Sequence, residues 1–205
     1  MTEEGKETTP RAVIVEAHSA FAILRINRRA ERNSLSVATL KELDAVVSSL
    51  IARTDIEAII FTGTNDVFAS GADIRELRAL TPQTAREFAA HGQRLFQKIA
   101  DAKQLSIAAI NGYCMGGGLD LALACNLRCA SPDAIFAHPG ARLGIITGWG
   151  GTQRLPRLIG TAKALEMFAS AKRVTAREAY EMGLVSQTGE PVLDCAIAMA
   201  NSYGA

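Results

Sequence analysis

The sequence predicts an α/β fold with crossover connections. Apolar β-rich runs alternate with stretches of helical periodicity, and polar or glycine-bearing turns separate them. Val13–Glu16 and Phe21–Ile26 read as two strands joined by a turn at His18-Ser19-Ala20. Ser36 then caps a helix running to about Ala52, whose inner face carries Leu40, Leu43, Val46, Val47 and Leu50 at helical spacing. A strand over Ile56–Thr62 follows, then a helix over about Thr84–Asp101 with Phe88, Leu95, Phe96 and Ile99 as its apolar stripe. The strand Leu105–Ile110 leads into a helix opened by glycines, and strands near Leu127–Ala130 and at Ile135–His138 come next. The spacing reads as a further helix over Val192–Ser202, and no internal repeat is visible.

Two turns stand out chemically. Ile107–Asn126, IAAINGYCMGGGLDLALACN, takes a buried strand through Asn111-Gly112 into Gly116-Gly117-Gly118 and out into an apolar helix whose first polar side chain is Asp120. The first N–H groups of a helix have no intrahelical partner and lie at the positive end of its dipole, so an anion or a polarised carbonyl oxygen can be held there. Glycines let a ligand approach that main chain closely, although a plain tight turn uses the same residues. Thr62–Leu77, TGTNDVFASGADIREL, makes a second small-residue corner at Gly71-Ala72, between a strand-turn and a helix start. By itself it equally reads as a turn and an N-cap. Together, the two corners could aim two N–H groups at one oxygen.

Composition bounds the rest. At 205 residues and 48 % hydrophobic the chain supports one core of ordinary size, expected over residues 12–205 behind a disordered polar tail, 1–11. A net charge of +1, from 22 basic and 21 acidic residues, gives no electrostatic footprint for nucleic acid. Arg28-Arg29 with Arg32 is the only local basic cluster. Cys114, Cys125, Cys129 and Cys195 lie in apolar surroundings without a CxxC pair, which points to reduced core residues rather than zinc ligands or disulfides. No apolar run reaches the roughly 20 residues of a membrane helix, and MTEEGKETTP is unlike a signal sequence, so a soluble, cytoplasmic protein is expected.

The two glycine corners, about 45 residues apart in this order, resemble the crotonase superfamily, the enoyl-CoA hydratase/isomerase family. LGIITGWGGTQRLPRLIG (143–160) resembles its third signature, ALEMFASAKRVTAREAYEMGLV (164–185) the segment after it, and FAILRINRRAERNSLSVATLKEL its opening strand, loop and helix. The resemblance implies a spiral of ββα units and an acyl-CoA thioester as substrate, with no cofactor beyond that CoA. It implies homotrimers or dimers of trimers, built with C-terminal oligomerisation helices that this chain lacks or shortens. It also implies an oxyanion hole from the backbone N–H groups of Ala72 and Gly117, with acyl-CoA lying along Arg29, Ala30, Ser70, Gly71, Asp73, Ile74, Gly116 and Gly140.

Hydratases of the family place glutamates at the positions of Asp120 and Gly140. Here the first is one methylene shorter and the second is gone, which leaves Asp120 as the only matched acid/base. An acidic side chain in the first turn of a helix is also favoured by the dipole without any catalytic duty. If Asp120 faces a pocket lined by Ile145 and Ile146, desolvation would raise its pKa. His138 reads first as a strand histidine satisfied by local hydrogen bonds, and Trp149 as a packing residue. Three activities stay open: hydratase/isomerase-type chemistry, decarboxylation of a malonyl-type CoA thioester, and acyl-CoA binding without turnover.

Overall fold

The computed structural model describes residues 11–18 and 20–203, so the tail expected over residues 1–11 lies, but for Arg11, outside the described residues. In chain order the first strands are β1 (Val13–Ala17), β2 (Phe21–Ile26) and β3 (Ser34–Leu35), then α1 (Val37–Ile51), β4 (Ala58–Thr62), β5 (Val67–Ala69) and β6 (Gly71–Ala72). There follow α2 (Ile74–Arg78), α3 (Pro82–Ala100), β7 (Leu105–Ile110), β8 (Tyr113–Met115), α4 (Gly117–Ala124), β9 (Leu127–Ala130) and β10 (Ile135–Ala137). The chain continues through α5 (Gly151–Ile159), α6 (Thr161–Ser170), β11 (Val174–Thr175), α7 (Ala176–Glu181), β12 (Gln187–Thr188) and α8 (Val192–Tyr203).

The strands form a larger sheet, β1-β2-β4-β7-β9-β12, a smaller one, β11-β10-β8-β5, and the two-stranded pair β3-β6. Neighbours run parallel except β1 with β2 and β10 with β11. Successive strand pairs, β4 with β5, β7 with β8 and β9 with β10, each give their first member to the larger sheet and their second to the smaller. That is the ββα spiral. The second members are only three residues long, too short for a periodicity to register, which is why hydrophobic spacing alone reports only the first strand of most turns.

Both faces of the larger sheet are covered along its central strands, β2, β4, β7 and β9, and their side chains divide with period two. Leu24, Phe61, Ala108 and Ile110 point into the main core with the stripes of α1 and α3. Ile23, Ile60, Ile107 and Cys129 point the other way, against Val192, Ala196 and Met199 of α8. The end helix therefore covers the sheet face that would otherwise expose a row of aliphatic residues. The four cysteines are unpaired, with Cys114, Cys125 and Cys129 buried.

The loop around Arg29 contains no proline to fix its φ, which would leave it loose. Asn33 supplies the missing constraint. Fully buried, with φ +53°, it accepts from the Arg28 N–H at 2.8 Å and the Thr64 hydroxyl at 3.1 Å, and donates to the Val67 carbonyl at 2.7 Å. The Arg28 guanidinium donates to Ser36 Oγ at 2.7 Å, tying the loop to the cap of α1.

Candidate active site

A cavity of about 250 Å³ opens where the two glycine corners meet. Gly71 and Gly116 take positive φ values, +97° and +50°, which side-chain-bearing residues rarely adopt. A Cβ at Gly71 would stand 2.9 Å from the Met115 carbonyl and 3.2 Å from the Gly117 nitrogen, so the corners are in direct contact. Gly116 spends its own N–H on the Ala137 carbonyl at 2.9 Å. Gly117, the first residue of α4, has an N–H without an intrahelical acceptor.

Ser70, Gly71, Ala72, Ile74, Gly116, Gly117 and Gly140 all line this cavity. Much of the remaining wall is apolar, with Leu77 and Leu80, Phe88 of α3, and Ile145 and Ile146 on the loop before α5, while His138 and Thr147 add polar groups. Leu77, Leu80 and Phe88 are wall residues that sequence reasoning missed; Phe88 sits in the α3 stripe, and nothing in the periodicity separates a cavity wall from a core. Arg29 and Ala30 line a different feature, an open groove shared with Ile14, Ser36 and Thr39. Asp73 is buried and turned away from the cavity: it caps α2 by accepting the Arg75 N–H at 2.9 Å and pairs with the Arg75 guanidinium at 2.7 Å. That pairing holds its pKa down at about 2.

Asp120 also lies behind the wall rather than on it, 0 % exposed. Its Oδ2 accepts the Thr147 hydroxyl and, at 3.3 Å, the Trp149 N–H. Gly151 makes room for it, because a Cβ there would collide with Oδ1. Burial raises its pKa to about 7, against the opposing pull of the Thr147 and Trp149 hydrogen bonds and the Arg154 charge. His138 stands between Asp120 and the cavity, with Nε2 3.6 Å from Oδ1. Contrary to expectation, neither nitrogen of this buried ring has a hydrogen-bond partner.

Trp149 is a packing residue, 2 % exposed, wedged between the backbones of Gly92 and Gly117. Its ring contacts Phe88 and Phe96 at 5.1 and 5.6 Å, and Nε1 donates to the Phe88 carbonyl. The Gly92–Trp149–Gly117 stack fixes the start of α4 from behind.

Gly140 is enclosed by backbone. Its carbonyl accepts the Ile145 N–H at 3.0 Å, and a Cβ there would stand 2.6 Å from the Ile145 carbonyl oxygen. A carboxylate cannot be grafted back without moving that loop. Gly140→Glu is expected to lower the melting temperature and to leave crotonyl-CoA hydration no faster than in the parent, measured by thermal melts and the loss of enoyl absorbance.

Spiral topology and paired glycine corners define a class, and comparison with known proteins gives it a name. The family described as enoyl-CoA hydratase/isomerase matches residues 16–201. Crotonyl-CoA hydratase of Syntrophomonas wolfei is 40 % identical over 180 residues, 87 % of this chain and 69 % of that protein. Short-chain-enoyl-CoA hydratase of Clostridium acetobutylicum is 38 % identical over the same shares. A crystal structure of enoyl-CoA hydratase from Bacillus anthracis superposes with TM-score 0.89 at 34 % identity, covering 94 % of this chain and 76 % of that one. The chain belongs to the enoyl-CoA hydratase/isomerase family. No described helix is long and apolar enough to cross a membrane.

Proposed function

We propose that this protein binds an acyl-CoA thioester and stabilises its enolate between the N–H groups of Ala72 and Gly117, with Asp120 as the acid/base of the site. The observation that carries the reading is the contact of the two glycine corners at the mouth of one apolar cavity. Chemistry at the α-carbon of a thioester passes through an enolate-like state, and fixed donors aimed at the developing oxyanion are its main requirement. Aliphatic walls suit a short unfunctionalised acyl chain, and Arg29 and Ala30 in the outer groove suit the nucleotide end of CoA. No cofactor beyond CoA is required by this chemistry. Assembly as a homotrimer or dimer of trimers in the cytoplasm fits the family.

With Gly140 closed, the ordinary two-carboxylate hydration is unsupported. One acid/base suffices for double-bond migration or for hydration at reduced rate. It also suffices for decarboxylation of a malonyl-type thioester, where the enolate needs a single proton donor. The same closure of Gly140 by the Ile145 carbonyl favours this second reading over hydration. Turnover of crotonyl-CoA, a 3-enoyl-CoA and malonyl-CoA, each with Asp120→Asn as control, separates them. Tight binding of all three with no turnover would leave a non-catalytic acyl-CoA-binding protein.

A further inference from the structure

We propose that His138, and not Asp120 itself, is the group that exchanges a proton with the acyl α-carbon, and that Asp120 acts through it. The inference rests on the acyl-CoA reading above and names the atom that performs its proton transfer.

Five buried side-chain polar atoms among the described residues have no hydrogen-bond partner, and three of them are Asp120 Oδ1, His138 Nδ1 and His138 Nε2. Buried polar atoms without a partner are rare in folded proteins, and orphans that gather at one place mark a site whose partner is supplied from outside. Here the place is the cavity wall. Asp120 is not a lining residue, whereas His138 and Thr147, which approach its Oδ1 and Oδ2, are; of the two the imidazole is the stronger base and the better carrier of a proton. The Nε2 edge faces Asp120 Oδ1 at 3.6 Å, and Nδ1, equally buried and unpartnered, is the nitrogen the relay assigns to the substrate. Phe168 of α6 lies against the ring, centroids 4.9 Å apart, and fixes its plane.

The groups that surround the pair do not compete for its proton. Cys114 of β8 is buried and its thiol pushed well up, so it stays protonated. Arg154 of α5 contributes a positive charge toward Asp120, and Thr147 donates to the other carboxyl oxygen. Burial moves both members toward their neutral forms, Asp120 to about 7 and His138 down to about 4. Between those limits the pair holds a protonated carboxyl beside a neutral imidazole. Transfer then balances simply: Nδ1–H gives its proton to Cα of the enolate as the new C–H bond forms, and Nε2 takes the proton of the Asp120 carboxyl. The ring ends neutral in its other tautomer and the carboxylate carries the charge. Reversal of the same steps removes a proton from Cα. Asp120 remains the acid/base of the site and acts on the substrate through His138, so the vacated Gly140 position needs no substitute.

The test is exchange of the α-protons of butyryl-CoA in D₂O, read by mass spectrometry, which probes transfer at Cα whatever the overall reaction. We expect wild-type protein to incorporate deuterium. His138→Gln and Asp120→Asn should each slow incorporation about 100-fold or more, with butyryl-CoA affinity changed less than threefold. The double variant should be no slower than the worse single variant, as for residues that act as a unit. Exchange by His138→Gln at the wild-type rate, losses that multiply in the double variant, or binding without exchange in the wild type would each overturn the relay. Failure of butyryl-CoA to bind would instead count against the acyl-CoA reading. The pair is then judged by ¹⁵N NMR of His138: its ring titration moves in Asp120→Asn if a proton is shared, and stays put if the relay is wrong. Thermal melts identify any variant whose loss is one of folding.

Discussion

Asp120→Asn will lower turnover of any acyl-CoA substrate by about 10²- to 10⁴-fold, the usual worth of a positioned acid/base, while making the fold more stable above neutral pH. Both effects come from one carboxyl group. Its pKa stands at about 7 in the fold, chiefly through burial, against 3.8 as the ordinary value. Between those values the folded protein binds more protons at this position than the unfolded chain does, so stability falls as pH rises through the window. At pH 8 the ionised group is a liability of up to about 4 kcal/mol, from roughly three pKa units at about 1.4 kcal/mol each. Asparagine keeps the oxygen that accepts from Thr147 and Trp149 and carries no charge. Melting temperatures of the two proteins should nearly coincide at pH 4 and separate in favour of the variant by pH 8. A variant that is less stable at pH 8, or equally active, would contradict the burial argument and the catalytic one respectively.

Gly117→Ala is the second large effect. The new methyl group would run into the Trp149 ring, which cannot retreat because Gly92 closes on its other side. Overpacking of this kind costs about 1–3 kcal/mol, and relief by shifting the start of α4 would carry the Gly117 N–H off its target. Losing one oxyanion donor costs on the order of 10²- to 10³-fold in kcat. The expected result is a lowered melting temperature together with a fall in kcat that exceeds any rise in KM. Combining it with Trp149→Leu should restore part of the stability, because the obstacle is the ring. No recovery in the double variant would mean that the clash is not what destabilises Gly117→Ala.

Much of this architecture could be read from the residues because the relevant signals are local. Ser36 does cap α1, the α3 stripe of Leu95, Phe96 and Ile99 is buried, and the strands at Phe21–Ile26 and Leu105–Ile110 match their apolar runs residue for residue. The glycine corners were legible as turns, at Gly71 and Gly116 with positive φ, but each alone read equally as a plain turn. What stayed hidden depends on contacts remote in sequence. Asp120 is an acidic residue in a helix start by any local reading; that it sits behind His138 follows from α4, β10 and the 147–151 segment meeting in space. Asp73 could be read as cap or ligand-contact, and only the position of Arg75 decides that its side chain serves the cap. Gly92 carries no signal at all in the α3 pattern, because its reason is a tryptophan 57 residues further on.

The measurement that bears most directly on the account is a crystal structure with butyryl-CoA bound. It should show the thioester oxygen within about 2.7–3.1 Å of both the Ala72 and the Gly117 nitrogens, and the acyl chain against Phe88 and Ile146. A thioester oxygen that accepts from neither nitrogen, or an acyl chain lodged outside this cavity, would contradict it.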